Sequence, residues 1–235
     1  MKQHIVVFSG AGISAESGLR TFRDFDGYWH EYRIDEVATP EGYAANPALV
    51  LEFYNLRRRE VRAAQPNAAH LALAQLQQHY EVTIITQNID DLHERAGSAR
   101  VIHVHGEITK GQSSLDEQLI VPLSKPDIAL GELAPDGSQL RPHVVWFGEA
   151  VLRLDEALQA MASADKVLVV GTSLSVFPVA ALAQQAPPHA EKILIALDVQ
   201  QVPPHYQFRP GRATELVPPL VQHWLQQALG AGAPS

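Results

Sequence analysis

The sequence predicts an α/β fold in which a doubly wound parallel sheet carries a small inserted lobe. Six short runs are rich in valine, isoleucine and leucine, and their apolar residues are mostly continuous, as is typical of strands buried on both faces. These runs cover residues 5–8, 82–86, 101–104, 144–147, 167–170 and 193–197. Helical patterns lie between or after them, at residues 47–62, 67–79, 153–164, 177–186 and 214–229. Strands that alternate with helices indicate a parallel sheet with helices on both faces.

Two stretches break this alternation and predict the lobe. Residues 20–47 are rich in aromatic and turn-forming side chains, and residues 108–142 are polar and interrupted by prolines. A chain of 235 residues is long enough to bury one core. We therefore expect a single domain over residues 1–235, with a small lobe built from insertions at about 20–64 and 108–142.

The composition argues against several classes of partner. The chain has 18 basic and 26 acidic residues, and its formal charge of −8 opposes the phosphate neutralisation that nucleic-acid binding requires. It has no cysteine, which excludes disulfides and thiolate zinc sites. The first apolar run is too short for a signal peptide, and no later run is long enough to span a bilayer. We expect a cytoplasmic protein that binds neither nucleic acid nor membranes.

The first predicted strand ends in a glycine-rich turn, Gly10-Ala11-Gly12-Ile13-Ser14-Ala15. This turn fits the pattern in which glycines let backbone N–H groups approach a pyrophosphate, although an ordinary strand-to-helix turn is the plain alternative. A dehydrogenase of this type needs a second strand that ends in an acidic residue about 20 residues beyond the turn. Here the next strand begins near residue 82 and is followed by Gln87-Asn88, which argues against a dehydrogenase.

Four polar motifs lie at or near the ends of later predicted strands: Gln87-Asn88-Ile89-Asp90, His103-Val104-His105-Gly106-Glu107, Val145-Trp146-Phe147-Gly148-Glu149 and Gly171-Thr172-Ser173. Each has an ordinary structural explanation, such as a helix cap, a turn or a surface histidine. The carboxyl ends of parallel strands, however, gather ligand contacts in one crevice. Together with the glycine turn, the motifs therefore indicate a single binding site.

On these motifs, together with Gly18-Leu19-Arg20-Thr21-Phe22-Arg23, the chain resembles the sirtuins, the NAD-dependent protein-lysine deacylases, over nearly its whole length. The resemblance implies a large Rossmann-like domain, a smaller lobe, and an active site between them. It implies NAD as cofactor and acyl-lysine proteins or peptides as partners. The products it implies are free lysine, nicotinamide and O-acyl-ADP-ribose.

The resemblance also implies a role for each matching residue. His105 is the base, and Asn88 and Asp90 line the pocket that holds and twists the nicotinamide amide. Further NAD contacts are implied for Gly10, Ala11, Gly12, Ile13, Ser14, Glu16, Gly18, Thr21, Phe22, Arg23, Gln87, Ile89, Gly171, Thr172, Ser173, Asp198 and Ala213. Contacts with the peptide substrate are implied for Val145, Phe147, Gly148 and Glu149, where the substrate would add a strand.

These residue types suit the implied chemistry. Breaking the glycosidic bond of NAD develops positive charge at the ribose carbon, so the site must hold the leaving amide and exclude water. The acyl oxygen of the substrate attacks that carbon to give an imidate. An imidazole, with a pKa of about 6.5, then suits removal of a proton from the ribose hydroxyl that attacks the imidate.

Two segments resemble the bacterial subgroup of desuccinylases and deacetylases, Ala38-Thr39-Pro40 and Phe53-Tyr54-Asn55-Leu56-Arg57. In that subgroup the alanine makes room, and the tyrosine and arginine bind a distal carboxylate, which an arginine can hold with two hydrogen bonds. The alternative is that Arg57-Arg58-Arg59 is a solvated basic face and Tyr54 lies at the edge of a core. We expect succinyl-, malonyl- and acetyl-lysine to be accepted.

The chain departs from the family pattern at two places. Family members commonly carry a zinc ribbon of four cysteines after the catalytic histidine, whereas residues 108–142 here have none and only His143 follows, so zinc is not expected. The family's asparagine near the adenosine is Ala196 here. Three other functions stay open: a protein ADP-ribosyltransferase, a non-catalytic NAD-binding module and, last, a dehydrogenase.

Overall fold

The computed structural model describes residues 2–21, 28–29 and 32–231. Its helices and strands follow one another along the chain as β1 (His4–Ser9), α1 (Ala11–Ala15), β2 (Tyr28–Trp29), β3 (Tyr32–Arg33), α2 (Ile34–Val37), α3 (Pro40–Ala45), α4 (Pro47–Ala63), α5 (Ala68–Gln75), β4 (Glu81–Thr86), α6 (Leu92–Arg95), β5 (Val101–His103), β6 (Gly106–Ser113), β7 (Ile120–Pro122), β8 (Leu140–Val144), α7 (Leu154–Ala162), β9 (Lys166–Val170), β10 (Glu191–Ala196), β11 (Gln207–Pro210) and α8 (Ala213–Ala231). Short 3-10 helices cover Leu76–Gln78 and Val179–Gln185.

Six parallel strands form the central sheet in the order β11-β10-β9-β1-β4-β5. The chain builds outward from β1 through β4 to β5, and then returns to the other side of β1 with β9. The order of the strands therefore reverses between β1 and β9. Ligands of open α/β sheets bind beyond the carboxyl ends of the strands at such a reversal.

The sheet is covered on both faces, because successive side chains of a strand point to opposite sides. Ile5 and Val7 of β1 pack in the core that contains Trp224 of α8, whereas Val6 and Phe8 pack in the core that contains Met161 of α7. Every residue of β1 is buried, which explains its continuous apolar run. The predicted doubly wound α/β fold is confirmed.

The predicted strand at residues 144–147 is wrong. The strand is β8, which ends at Val144 and pairs antiparallel with β6 in a separate sheet of order β7-β6-β8. The strand lacks a continuous apolar run, because it contains Arg141 and His143. Both side chains are buried, and Glu149 and Gln112 form hydrogen bonds with them.

Other differences are smaller. The predicted helix at residues 177–186 is a 3-10 helix over Val179–Gln185. The sheet has a sixth strand, β11, that the sequence did not reveal because it is an edge strand of four residues, none of them buried. The two-stranded sheet of β2 and β3 and the sheet around β6 fall in the stretches that break the alternation. The proposed lobe boundaries, about 20–64 and 108–142, stay a prediction.

Asparagine caps fix where two helices begin. The side chain of Asn46 accepts from Leu49 N at 3.1 Å and starts α4. Asn67 caps α5, and its Nδ2 also donates to Ile13 O at 2.8 Å, which ties α5 to the glycine turn after β1. Within the described ranges, no helix is long and apolar enough to cross a membrane.

Candidate active site

The glycine turn after β1 packs directly against the loop after β9. Gly10 N donates to Val170 O at 3.0 Å, and Gly12 N donates to Gly171 O at 2.8 Å. A Cβ on Gly12 would lie 2.8 Å from that same oxygen, closer than real Cβ atoms approach. Gly171 has a φ of +65°, which also favours glycine. The two loops therefore form one floor at the reversal of the sheet.

Side chains from the end of β4 reach both loops of this floor. Gln87 Nε2 donates to Thr172 Oγ1 at 3.2 Å, in the loop after β9. Asn88 Nδ2 donates to Ser14 Oγ at 3.1 Å, in α1 after the glycine turn. The structure thus brings three of the predicted motifs into one crevice. Glycines without room for a side chain and amide donors around them fit a dinucleotide with its phosphates near the backbone.

Asp90 is a buried carboxyl group beside this crevice. Its Oδ1 accepts from Leu92 N at 3.1 Å. Burial raises the pKa of Asp90, while hydrogen bonds from Leu92 N and the Ser14 side chain act in the opposite direction. Ile89 lies between Asn88 and Asp90, and its backbone oxygen accepts from Ile108 N at 2.8 Å, so the segment is anchored to β6.

His105 lies where β5 gives way to β6, close to the same segment. Its Nδ1 is 3.1 Å from Gln87 O. A carbonyl only accepts hydrogen bonds, so Nδ1 carries the hydrogen, and in the neutral ring Nε2 keeps a lone pair. Burial lowers the pKa of His105, and the hydrogen bond to Gln87 O opposes this effect. The ring is therefore a neutral base at neutral pH.

The residues predicted to select the acyl group form a buried cluster. Tyr54 Oη accepts from Trp146 Nε1 at 3.1 Å, and Phe147 N donates to Ala38 O at 2.9 Å. Arg57 is buried beside them, with its Nη1 3.5 Å from Glu60 Oε2. Burial lowers the pKa of Arg57 to about 10, and the charge of Glu60 opposes the shift. Arg57 is therefore a buried cation, not part of a solvated basic face.

The segment after β8 joins His105 to this cluster. Val145 N donates to His105 O at 2.9 Å, and Phe147 is exposed. Gly148 has a φ of +93° in the turn that follows. Glu149 is held inside the turn, where its carboxylate accepts from Trp146 N at 2.7 Å and from Arg141 Nη1 at 2.7 Å. Its predicted contact with the peptide stays a prediction.

Sequence reasoning assigned no role to several residues that shape this site. The Arg141 guanidinium lies over the Trp146 ring, 3.4 Å from its centre, and so braces the wall beside Tyr54. The His103 ring contacts Asn88 O through Nδ1 and Glu94 Oε1 through Nε2. The sequence offered only an arginine and a second histidine near predicted strands, and neither reveals its partner without the fold.

At the predicted adenosine end of the site, the structure brings Glu16 next to the start of α8. Glu16 accepts from Thr214 N at 3.0 Å, so it caps the start of α8 next to Ala213. Asp198 is exposed just after β10, and the Ser173 hydroxyl is 2.7 Å from that of Ser175. The NAD contacts predicted for Glu16, Gly18, Thr21, Ser173, Asp198 and Ala213 stay predictions. Phe22 and Arg23 lie outside the described residues.

No group of three or more metal-ligating side chains stands together in the described part of the chain. His143, the histidine nearest to the position of the family's zinc ribbon, is 2.7 Å from Gln112 Oε1 through its Nδ1. The His143 imidazole is therefore hydrogen-bonded within the small sheet, between β8 and β6.

Known proteins share this arrangement over most of the chain. Residues 10–178 match the Sir2 family. A Helicobacter pylori protein named NAD-dependent protein deacylase is 52% identical over 196 residues, 83% of this chain and 84% of that protein. A Sir2 homologue solved with NAD has a TM-score of 0.85 and 38% identity, and the match covers 97% of this chain and 91% of that one. Sir2Af2, solved with a myristoylated histone peptide, has a TM-score of 0.75 and 33% identity over 97% and 94% of the two chains.

Proposed function

This chain belongs to the Sir2 family and is an NAD-dependent protein-lysine deacylase, and on that premise we propose which residues carry the reaction and which acyl groups are removed. The observation that carries the proposal is His105. It is a neutral imidazole whose ring is oriented by Gln87 O, the carbonyl of the residue that directly precedes Asn88.

NAD is consumed as a substrate in this reaction. The bond between its ribose and nicotinamide breaks, nicotinamide leaves with the bonding electrons, and the acyl oxygen of the lysine substrate takes its place on the ribose carbon. With one water used overall, the acyl group ends on ADP-ribose and the lysine is free. His105 Nε2 takes the proton of the ribose hydroxyl that attacks the acyl carbon. This assignment uses the nitrogen that does not face Gln87 O.

Asn88 and Asp90 hold the nicotinamide end of the site. Both side chains are buried, and Ser14 contacts both of them. An amide and a carboxyl group that are already fixed before NAD binds lose little freedom when they grip the leaving group. This preorganisation supports their assignment as the residues that hold and twist the nicotinamide amide.

We assign Tyr54 and Arg57 to the distal carboxylate of succinyl- and malonyl-lysine. Tyr54 is buried in the cluster that contains Ala38, and Arg57, three residues further along α4, is buried close enough to Tyr54 for their charges to interact. A buried guanidinium attracts a carboxylate more strongly than a solvated one, because less water competes for it. Acetyl-lysine has no distal charge and uses only the space beside Ala38.

Acylated protein or peptide is the expected partner, and the solved relative with a myristoylated histone peptide supports this class of ligand. The segment Val145-Trp146-Phe147 would pair with the substrate backbone, because the segment ends in the exposed Phe147 next to Ala38. The expectations of a cytoplasmic location and of no nucleic-acid partner rest on the sequence and stay predictions.

Mass spectrometry of acetyl-, malonyl- and succinyl-lysine peptides, each incubated with enzyme with and without NAD, tests the proposal. We expect loss of all three acyl groups only with NAD, and one O-acyl-ADP-ribose for each lysine freed. Loss of acetyl alone would contradict the assignment of Arg57. Transfer of ADP-ribose to protein with the acyl groups intact would contradict the deacylase mechanism and favour the rival transferase.

A further inference from the structure

Two histidines bind consecutive backbone carbonyls at the end of β4. His105 Nδ1 lies 3.1 Å from Gln87 O, and His103 Nδ1 lies 3.0 Å from Asn88 O. The second ring nitrogen of His103 is 2.6 Å from Glu94 Oε1 of α6. The His103 side chain is buried, whereas that of Glu94 is 41% exposed. This second histidine has no part in the chemistry described above.

From this geometry we propose that His103 and Glu94 form a charged positioning pair that holds Asn88 in place for nicotinamide release. The inference rests on the proposed role of Asn88. His103 and Glu94 are positioning residues in this proposal, because the contact of His103 is with the Asn88 backbone carbonyl.

The partners of His103 require a doubly protonated ring. A backbone carbonyl and a carboxylate only accept hydrogen bonds, so both ring nitrogens of His103 must donate. A neutral ring would direct one lone pair at an oxygen. Burial acts to lower the pKa of His103, but the hydrogen bond and the charge of Glu94 outweigh it and raise the pKa. The same pairing lowers the pKa of Glu94 against the effect of its burial.

Asn88 is held at its backbone and at its side chain, and the pair supplies the backbone contact. The Asn88 carbonyl accepts from the His103 imidazolium on one side, and Asn88 Nδ2 donates to Ser14 Oγ on the other. Asn88 N also donates to Thr86 Oγ1 at 3.0 Å. Hydrogen bonds from a charged donor are stronger than those between neutral groups, so the link to His103 is the strongest of the three. A shift of about 1 Å in such a group can cost about a hundredfold in rate.

Other charged and titratable groups surround His103, and they bear on any pH test. They are Glu94 and His93 of α6, Asp90 before α6, Glu107 and Lys110 of β6, and His143 of β8. Of these groups in the described part of the chain, Glu94 alone hydrogen-bonds to the His103 ring. Changing Glu94 therefore alters the pair with the least effect on the rest of the group.

The test compares Glu94→Gln, His103→Asn and His103→Leu with the wild-type enzyme, by nicotinamide release with an acyl-lysine peptide from acid to alkaline pH. The amide of Asn can donate to Asn88 O as Nδ1 does, whereas Leu cannot. Glu156→Gln is the control, because Glu156 is likewise a partly exposed acid in an ion pair, here with Arg153, and lies on α7. Thermal melting of each variant reports whether it folds.

We expect Glu94→Gln to lower kcat about tenfold at alkaline pH, with the KM for peptide unchanged. Without the carboxylate, burial lowers the pKa of His103, so the ring becomes neutral at a lower pH than in the wild type. The fall of kcat at alkaline pH should therefore begin at a lower pH in Glu94→Gln than in the wild type. His103→Asn should retain more of kcat than His103→Leu.

The inference is overturned if Glu94→Gln matches the wild type in kcat and pH profile, or if folded His103→Asn and His103→Leu lose activity equally. A wild-type enzyme that releases no nicotinamide would instead overturn the proposed function, and this inference with it. Equal losses in the Glu156→Gln control would also count against a specific role of Glu94.

Discussion

The pKa values of the two histidines of the site shift in opposite directions although the residues are only two positions apart. His105 has a single hydrogen-bonding carbonyl and is partly buried, which lowers its pKa, whereas Glu94 raises the pKa of His103. Such a divergence fits the two proposed roles, a base at His105 and a fixed cation at His103. The sequence predicted the base at position 105 from the resemblance. It did not predict the cation, because the carboxylate that creates it comes from another element.

The pH dependence of deacylation should report His105. Its neutral form is the base, and burial lowers its pKa, so kcat/KM should fall only when the pH drops below the ordinary value of about 6.5. A profile of kcat/KM against pH measures this. An acid limb centred above that value, or its persistence in a residually active His105→Asn variant, would contradict the assignment.

Arg57→Met should separate charged from uncharged acyl groups. The change removes the buried cation but keeps much of the side chain's length, so kcat/KM for succinyl-lysine should fall about tenfold to a hundredfold, while that for acetyl-lysine stays within about twofold. The matched control is Arg59→Met, since the Arg59 side chain is 54% exposed and pairs with Asp127. Equal loss on both acyl groups would refute the assignment.

At the scale of the elements, α4 connects the predicted acyl pocket to the small sheet. Arg58 is fully buried, and it donates to Ile108 O at 2.6 Å, to Pro126 O at 2.9 Å and to Asn55 Oδ1 at 2.8 Å. These bonds hold the segment 106–128, which lies where relatives of the family commonly carry zinc, against a helix. The sequence showed only three consecutive arginines, so the division between Arg58 inside and Arg59 outside required the fold.

Arg58→Met should destabilise the protein by about 3 kcal/mol. Two backbone oxygens would lose a charged donor, and unpaired buried polar groups cost about 1–3 kcal/mol each. Urea unfolding of the variant measures the change, with Arg59→Met as the exposed control at less than about 1 kcal/mol. Equal stability of the two variants would show that the Arg58 network does not hold this region.

The prediction of elements succeeded where burial is simple. Strands β1 and β9 are buried throughout, and their apolar runs identified them. Strand β8 was missed because Arg141 and His143 are polar residues in a buried strand, and their partners Glu149 and Gln112 lie in other segments that only the fold brings next to it. The position of the crevice was predictable, because the carboxyl ends of parallel strands meet at one edge of the sheet. The contacts of His103 with Asn88 O and Glu94 were not, because they join separate elements.

For the whole molecule, the absence of cysteine leads us to expect that the stability of the fold does not depend on a bound metal ion. The chain has no thiolate, and the arginine network of α4 holds the small sheet. A strong chelator should therefore leave the melting temperature and the deacylation rate unchanged. Melting curves with and without chelator measure this, and a fall of several degrees on chelation would show that a metal supports the fold.

The central claim is that His105 completes a reaction in which NAD and an acyl-lysine are consumed together. Its most direct test is the yield of nicotinamide, free lysine peptide and O-acyl-ADP-ribose from one reaction mixture, for the wild type and for His105→Ala. We expect equal amounts of the three products from the wild type, and neither free lysine peptide nor O-acyl-ADP-ribose from a variant that melts at the same temperature. Deacylation that proceeds without NAD, or at an undiminished rate in His105→Ala, would contradict the account.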